Sequence, residues 1–279
     1  MHKSVKDIIE KKKLGQKISV ITAYDYTLAS LCERTGIDIL LVGDSAGMVM
    51  LGYENTVPVT MEQMIMFTEA VSRARQSSLV VADMPFMSYQ ASISDAIANS
   101  GRLVKAGADA VKLEGGKVVS KTISAIVETG IPVMGHIGFQ PQTTALSQGY
   151  KVQGKTEETA VTLIEDAKAL EEAGVFSIVL EMVTSEVAKI ISESVSIPTI
   201  GIGSGRFCDG QVLVIHDMLG MYEKIKPKFV KQYLSLSEQI TKAVTSYKSE
   251  VESGKFPAEE NWFSMDRVEL DRLIRKIGS

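Results

Sequence analysis

Short apolar runs alternate with helical segments about eight times, and this alternation limits the fold more than any other feature. One run, Ile37-Asp38-Ile39-Leu40-Leu41-Val42-Gly43-Asp44-Ser45, is too short for a buried helix and suits a buried strand. Because side chains alternate along a strand, Leu40, Val42 and Asp44 are predicted to point the same way. The other predicted strands cover residues 18–24, 79–83, 110–114, 132–136, 177–181, 199–201 and 212–215. This pattern favours a closed parallel barrel over an open doubly wound sheet.

The segments between the runs carry the signals of helix ends. Thr60 and Gln63 have the spacing of a capping box, which predicts a helix that runs to about Arg75. Further helices are predicted over residues 6–13, 26–35, 95–106, 118–129, 228–252 and 266–277, and another begins at 156. The chain is therefore predicted to be one (β/α)8 TIM barrel domain over residues 1–279, with a helical C-terminal extension from about residue 228.

Composition excludes several classes of partner. The formal net charge of -4 gives no basic surface for nucleic acid. Two cysteines, Cys32 and Cys208, indicate a reducing compartment rather than a disulfide scaffold. The first residues lack the apolar core of a signal peptide, and no stretch of 18 apolar residues could span a membrane. We therefore expect a cytoplasmic protein with small-molecule substrates, no nucleic acid and no membrane.

Four acidic residues follow or end predicted strands: Asp44, Asp83, Glu114 and Glu181. A parallel barrel gathers such strand ends at one mouth. Lys112 and Glu114 are two residues apart, so they share a face and add one ammonium group to the set. Several carboxylates at one mouth are costly unless a cation joins them. Oxygen ligands, without cysteine or paired histidines nearby, favour Mg²⁺ over zinc.

Each of these residues also has a structural interpretation when it is taken alone. An Asp at a strand end often caps the next turn or helix, and Glu114 could be a solvated loop residue. Lys112 could be a salt-bridge partner or a Schiff-base lysine. Glu181 could be structural, and a single histidine such as His136 is more often a satisfied core residue than a catalyst. The four acids together favour a functional site.

Two loops add weaker signals. The loop 137–155 is long, polar and contains several glycines and a proline, and loops of this length in compact domains are more often functional than idle. The glycine-rich segment 201–205 follows the seventh strand, where many barrels bind phosphate. The alternative is that its glycines only permit a tight turn from strand to helix.

Several segments are similar to the ketopantoate hydroxymethyltransferase family. They are Ile21-Thr22-Ala23-Tyr24-Asp25, Val42-Gly43-Asp44-Ser45, Ala82-Asp83-Met84-Pro85-Phe86, Val111-Lys112-Leu113-Glu114-Gly115, Gly135-His136-Ile137-Gly138-Phe139-Gln140-Pro141-Gln142, Gly201-Ile202-Gly203-Ser204-Gly205 and Asp209-Gly210-Gln211-Val212-Leu213-Val214. The resemblance covers about residues 3–265 in the right order, and the last dozen residues lie outside it. No functional position departs from the family's pattern.

The resemblance implies an enzyme with a barrel of the phosphoenolpyruvate/pyruvate superfamily type. The implied reaction moves a hydroxymethyl group from 5,10-methylenetetrahydrofolate to 3-methyl-2-oxobutanoate. It gives 2-dehydropantoate, in pantothenate biosynthesis. Mg²⁺ is implied as the cofactor, and a homodecamer as the assembly. We expect the loop 137–155 to cover the mouth and to contact the folate donor.

Residue roles also follow from the resemblance. It implies that the metal ligands are Asp44, Asp83 and Glu114. It implies that the keto acid is held by Ser45, Asp83 and Lys112. Glu181 is the implied proton acceptor, with His136 as the next candidate.

Three other functions remain open at the level of sequence. An Mg²⁺-dependent carbon–carbon lyase of the same superfamily would share the barrel and the acids. Such lyases resemble one another in a Lys-Lys-Cys-Gly-His loop, which this chain lacks. A Schiff-base aldolase would use Lys112 as a nucleophile. A non-enzymatic binding protein would bind the substrate without turnover.

Overall fold

Eight parallel strands form a closed barrel, as the sequence predicts. The structure is a computed structural model that describes residues 2–143, 151–224 and 226–278. Each strand pairs with its neighbour in the chain, and β8 pairs with β1 to close the barrel. The strands are β1 (Ile18–Thr22), β2 (Ile39–Val42), β3 (Leu79–Asp83), β4 (Ala110–Glu114), β5 (Val133–Gly138), β6 (Ser177–Glu181), β7 (Thr199–Ile202) and β8 (Gly210–Leu213).

Helices surround the barrel, and their bounds are close to the predicted ones. They are α1 (Val5–Lys13), α2 (Tyr26–Glu33), α3 (Ala46–Val49), α4 (Met61–Ala74), α5 (Ile93–Lys105), α6 (Ser120–Glu128), α7 (Glu157–Glu172), α8 (Ser185–Ser194), α9 (Ile215–Met218), α10 (Leu236–Glu252) and α11 (Arg267–Ile277). The predicted capping box is present at α4, where Thr60 accepts from the N–H of Gln63 and the Gln63 side chain returns to the N–H of Thr60. Among the described helices, none is long and apolar enough to cross a bilayer.

The eighth strand is shifted from its predicted position. It runs over Gly210–Leu213, whereas the sequence predicts 212–215. Ile215 instead begins the short helix α9, and its N–H donates to Thr22 Oγ1 at 3.0 Å. The apolar run crosses the end of the strand and continues into the helix, because both segments are partly or fully buried. Hydrophobic periodicity alone could not separate the two elements.

The C-terminal helix begins later than predicted. The sequence predicts a helix from about residue 228, but α10 begins at Leu236. Residues 228–235 are irregular, and Pro227 precedes them. The chain divides into two compact units, one up to Tyr233 and one from Leu234. In the second unit, α10 and α11 have no buried side chain.

The core has two layers, which follow the alternation of side chains along the strands. The layer inside the barrel receives one or two apolar residues from every strand, and Ile8 of α1 joins it. Its strand members are Ile18, Val20, Ile39, Leu41, Leu79, Val81, Ala110, Met134, Val179, Ile200, Ile202 and Val212. The outer layer packs the other face of the strands against the helices. The barrel interior is therefore a packed core in its lower part, and it presents its polar residues at the C-terminal ends of the strands.

Candidate active site

The polar residues of the barrel interior follow its apolar layer by two residues on four strands. Because inward positions recur every second residue, each inward apolar residue is followed by an inward polar one nearer the C-terminal end. These polar residues are Asp83 after Val81, Lys112 and Glu114 after Ala110, His136 after Met134 and Glu181 after Val179. The predicted shared face of Lys112 and Glu114 is therefore the barrel interior, and both side chains are buried.

Asp44 reaches the same mouth by a different route, and its predicted orientation is wrong. Leu40 and Val42 belong to the outer layer, facing the helices, and β2 ends at Val42. Asp44 follows that end, where the backbone turns towards α3, and its N–H donates to Asp83 Oδ2 at 3.1 Å. Gly43 permits this close approach, because a Cβ at that position would lie 2.8 Å from Ser45 Oγ. The strand alternation therefore does not extend to Asp44.

Lys112 and Asp83 form a buried ion pair. Lys112 Nζ donates to Asp83 Oδ1 at 2.7 Å, and the two side chains are 6% and 5% exposed. Burial opposes the charge of Lys112, but the carboxylates of Asp83, Asp44 and Glu114 outweigh it and raise the lysine pKa. A lysine that forms a Schiff base needs a lowered pKa, since only the neutral amine is a nucleophile. The environment of Lys112 therefore suits a fixed positive charge.

Asp44 is the least compensated acid of the group. Burial raises its pKa well above the ordinary value, and the charges of Asp83 and Glu114 raise it further. Lys112 acts in the opposite direction, as does Gln142, whose Nε2 donates to Asp44 Oδ2 at 2.8 Å. The excess of buried carboxylates is the condition that a bound cation relieves.

His136 lies between two acids. Its Nε2 is 3.2 Å from Glu181 Oε2, and its Nδ1 is 3.6 Å from Glu114 Oε1. Both contacts have ion-pair distances without the alignment of a hydrogen bond. Burial and Lys112 lower the His136 pKa, but Glu114 and Glu181 outweigh them and raise it to about 9. His136 is thus a cation near neutral pH and not an inert core histidine.

Ser45, the remaining predicted substrate ligand, lies beside a buried tyrosine. The Ser45 Oγ and Tyr24 hydroxyl atoms are 2.8 Å apart. Burial raises the Tyr24 pKa, so the phenol stays neutral and serves as a hydrogen-bonding group. Tyr24 belongs to a segment that carries the family resemblance, but the sequence alone assigns it no role.

One cavity of about 1510 Å³ connects these residues. All seven side chains of the predicted site line it, namely Asp44, Ser45, Asp83, Lys112, Glu114, His136 and Glu181. Phe139, Pro141 and Val152, from the described parts of the loop 137–155, line it as well. The middle of that loop, residues 144–150, lies outside the described residues, so its predicted position over the mouth stays a prediction.

The donor set suits Mg²⁺ better than a closed metal cage. In residues 2–143, 151–224 and 226–278, no group of three or more His, Cys, Asp or Glu side chains is arranged to hold a metal ion. Mg²⁺ does not require such a group, because proteins usually bind it through one or two carboxylates together with water and substrate oxygens. Asp44, with its uncompensated charge at the mouth, has the chemistry of such a ligand.

The glycine-rich segment 201–205 is explained by packing. Gly203 has a φ of +65°, and a Cβ there would lie 2.7 Å from the ring of Phe229. Ser204 is fully buried, donates to the Leu180 carbonyl at 2.7 Å and accepts from the Val183 N–H at 3.0 Å. These contacts favour the tight-turn alternative over a phosphate site.

Gln142 is a buried residue of the site that the sequence interpretation missed. It lies four residues beyond β5, is 1% exposed and contacts both Asp44 and Glu114. A neutral amide in a polar loop gives no signal by charge or by strand parity. The only available signal is its place in a segment that carries the family resemblance.

Comparisons with known proteins agree on one family. A sequence model described as ketopantoate hydroxymethyltransferase matches residues 2–259. A 3-methyl-2-oxobutanoate hydroxymethyltransferase of Nitrosopumilus maritimus is 73% identical and covers 100% of both chains. A protein of the same name from Cenarchaeum symbiosum is 61% identical over 94% of this chain and 100% of its own.

Solved structures share the fold at low identity. Phosphonopyruvate hydrolase has a TM-score of 0.63 at 12% identity and covers 99% of this chain and 98% of its own. 2,3-Dimethylmalate lyase, a member of the PEP mutase/isocitrate lyase superfamily, has a TM-score of 0.60 at 13% identity, covering 99% and 100%. The barrel is therefore of this superfamily's type, as predicted.

Proposed function

The chain belongs to the ketopantoate hydroxymethyltransferase family, and from this premise we propose how its barrel mouth carries out the reaction. The enzyme transfers a hydroxymethyl group to 3-methyl-2-oxobutanoate and gives 2-dehydropantoate. The observation that carries this conclusion is a full-length relative of that name at 73% identity. We propose 5,10-methylenetetrahydrofolate as the donor and Mg²⁺ as the cofactor.

We assign the metal ligands to the acids Asp44, Asp83 and Glu114. This proposal is supported by their burial and by the mutual repulsion that raises the Asp44 pKa. Bound Mg²⁺ would polarise the keto group and acidify the neighbouring C–H bond. The protein's part is to hold the acids at fixed positions in a closed cavity. The ends of β2, β3 and β4 provide that rigidity.

The keto acid is held by Lys112, Ser45 and Asp83 in this proposal. The Lys112 ammonium has three N–H donors, and one is donated to Asp83. The others neutralise the substrate carboxylate as a point charge. The Ser45 hydroxyl, beside the Tyr24 hydroxyl, adds a neutral hydrogen-bonding group at the same end of the cavity.

Glu181 takes the proton from C3 of the keto acid in this proposal. Its side chain is 16% exposed, so it is more open to the cavity than its neighbours. The contact with cationic His136 favours the ionised form of Glu181, which therefore begins the cycle as a proton acceptor. The carbanion equivalent at C3 then forms the new bond to the donor's methylene carbon.

The loop 137–155 faces the donor in this proposal. Phe139, Pro141 and Val152 give the cavity wall an apolar character, which suits the flat ring system of a folate. The homodecamer and the cytoplasmic location rest on the resemblance and on composition, respectively. Both remain proposals.

A lyase of the same superfamily is the second candidate, and it is not favoured. The lyase among the similar structures shares only 13% identity, which concerns the fold alone. The full-length relatives at 61% and 73% identity are named as hydroxymethyltransferases. The Schiff-base mechanism is disfavoured by the raised pKa of Lys112.

A turnover assay with the keto acid, methylenetetrahydrofolate and Mg²⁺ tests the proposal. EDTA should abolish turnover, and added Mg²⁺ should restore it. Without the folate donor, the C3 hydrogen should still exchange with deuterated water. Turnover that is insensitive to EDTA would contradict the metal assignment. Borohydride trapping of substrate on Lys112 would favour the Schiff-base mechanism instead.

A further inference from the structure

Gln142 makes a fully satisfied hydrogen-bonding centre behind the acids. Its Nε2 donates to Asp44 Oδ2 at 2.8 Å and to the Met84 carbonyl at 2.9 Å. Both amide hydrogens therefore have an acceptor. Its Oε1 lies 3.1 Å from the hydroxyl of Tyr89. The residue is 1% exposed, so these bonds are shielded from water.

The backbone of Gln142 binds the second acid. Its N–H donates to Glu114 Oε2 at 3.1 Å. Tyr89 strengthens the connection, because its hydroxyl lies 2.9 Å from the Glu114 carbonyl and accepts from the Glu114 N–H at 3.1 Å. Through one side chain and one peptide group, Gln142 thus links Asp44 after β2, Met84 after β3 and Glu114 at the end of β4.

A neutral donor is the residue type that this position needs. Asp44 and Glu114 repel each other and Asp83, which would drive the carboxylates apart or out of their rotamers. A glutamine bonds one oxygen of each acid without adding charge. It leaves Asp44 Oδ1 and Glu114 Oε1 outside its own hydrogen bonds. A carboxylate here would add repulsion, and an apolar residue would leave Asp44 and Met84 without this donor.

We propose that Gln142 is a positioning residue that holds Asp44 and Glu114 in the orientation that binds the metal. This inference rests on the proposed function, since it takes both acids to be Mg²⁺ ligands. Partners that orient metal ligands typically contribute about 10–100-fold to metal affinity. Gln142 acts through the acids and does not touch the metal or the substrate.

The test measures direct binding of Mn²⁺, as a spectroscopic substitute for Mg²⁺, to the full chain without substrates. Gln142→Met keeps the size of the side chain and removes both amide donors. Tyr89→Phe removes a single hydroxyl and keeps the ring. Gln140→Met is the matched control, because Gln140 lies two residues earlier, is half-buried and contacts Thr143.

We expect Gln142→Met to raise the Mn²⁺ Kd by about 10–100-fold and Tyr89→Phe by about 10-fold. Gln140→Met should bind like the parent. Melting curves of the metal-free proteins report folding separately, because a merely structural role would lower the melting temperature without changing Kd. If Gln142→Met does not fold, Tyr89→Phe decides the question alone.

Two results would overturn the inference, and they differ from each other. A parent that binds Mn²⁺, together with folded variants that bind it within twofold, would refute the role of Gln142 and leave the metal site intact. A parent that binds no Mn²⁺ would refute the metal assignment itself, and the positioning role with it.

Discussion

The two ends of the barrel treat buried acids in opposite ways. At the N-terminal end, Asp38 accepts from Lys11 Nζ at 2.7 Å and lies 3.1 Å from Lys3 Nζ. Burial opposes its charge, but these cations and Ser19 outweigh it and lower the Asp38 pKa. At the mouth, burial and neighbouring acids raise the pKa of Asp44. The same residue type is compensated at one end and uncompensated at the other.

This difference separates stability from function in the barrel. The compensated acids of the N-terminal end join α1 and the strand starts, as Lys12 and Asp209 also do at 3.0 Å. The uncompensated acids of the mouth stabilise nothing by themselves and remain available to a cation or a substrate. Barrels generally place catalytic groups at the C-terminal face and stability at the other. Each prediction below tests this contrast.

The largest effect is expected from Glu181→Gln. Gln keeps the shape of Glu but is far too weak a base, so turnover should fall by about 10²–10⁴-fold. Mg²⁺ and keto acid should still bind. Exchange of the C3 hydrogen with deuterated water, measured without the folate donor, isolates the step. If the variant exchanges that hydrogen as fast as the parent, Glu181 is not the base and His136 becomes the next candidate.

The second effect is the loss of a metal ligand. Asp44→Ala should lower kcat/KM at low Mg²⁺ by more than about 100-fold, beyond the usual effect of an outer partner. Its melting temperature should stay near that of the parent, because the acid is uncompensated. Asp38→Ala is the control at the other end, where activity per folded molecule should be retained. Near-parental turnover of Asp44→Ala at low Mg²⁺ would contradict the metal assignment.

Most of the contrast between the ends could be predicted from sequence. The acids at strand ends and the shared face of Lys112 and Glu114 follow from a period of two, and β4 and β6 have the predicted bounds. The ion pairs of the N-terminal end could not be predicted. They join residues far apart in sequence, such as Lys11 with Asp38, and no local pattern encodes that pairing.

The errors occur where regular structure stops. Asp44 lies beyond the last residue of β2, so the alternation no longer applies to it. Gln142 lies in a loop, where neither period nor charge marks a buried amide. The start of α10 was misplaced because residues 228–235 have no strong breaker after Pro227. Local periodicity predicts the elements, whereas their ends depend on tertiary contacts.

A third prediction concerns the ion pair that crosses the mouth. Asp83→Ala removes the partner of buried Lys112, so the folded state should lose about 3 kcal/mol, the lower end of the cost of an unpaired buried charge. The lower end applies because Asp44 and Glu114 also compensate Lys112. Denaturant unfolding measures the loss. The double variant with Lys112→Met should recover part of it, and a double variant as unstable as the single one would refute the pairing.

The smallest effect is the sharpest comparison, because one substitution should act with opposite signs at the two ends. The raised pKa of Asp44 means that metal-free protein loses stability as pH rises from the unfolded-state pKa of about 3.9 towards the folded-state value. Asp44→Asn cannot ionise, so above that range it should melt higher than the parent. The lowered pKa of Asp38 contributes stability above the unfolded-state pKa, which is lost as pH falls through the folded-state value.

Asp38→Asn should therefore melt lower than the parent at neutral pH. We expect shifts of roughly 2–4 °C in each direction, which about 1 kcal/mol produces in a chain of this size. Melting of the metal-free proteins between pH 3 and 8 measures them, and both differences should shrink towards the acid end, where the parent's carboxyls are protonated. Excess Mg²⁺ should stabilise the parent but not Asp44→Asn. Shifts of the same sign at neutral pH would mean that the mouth acids are compensated without a metal, and the contrast between the two ends would fail.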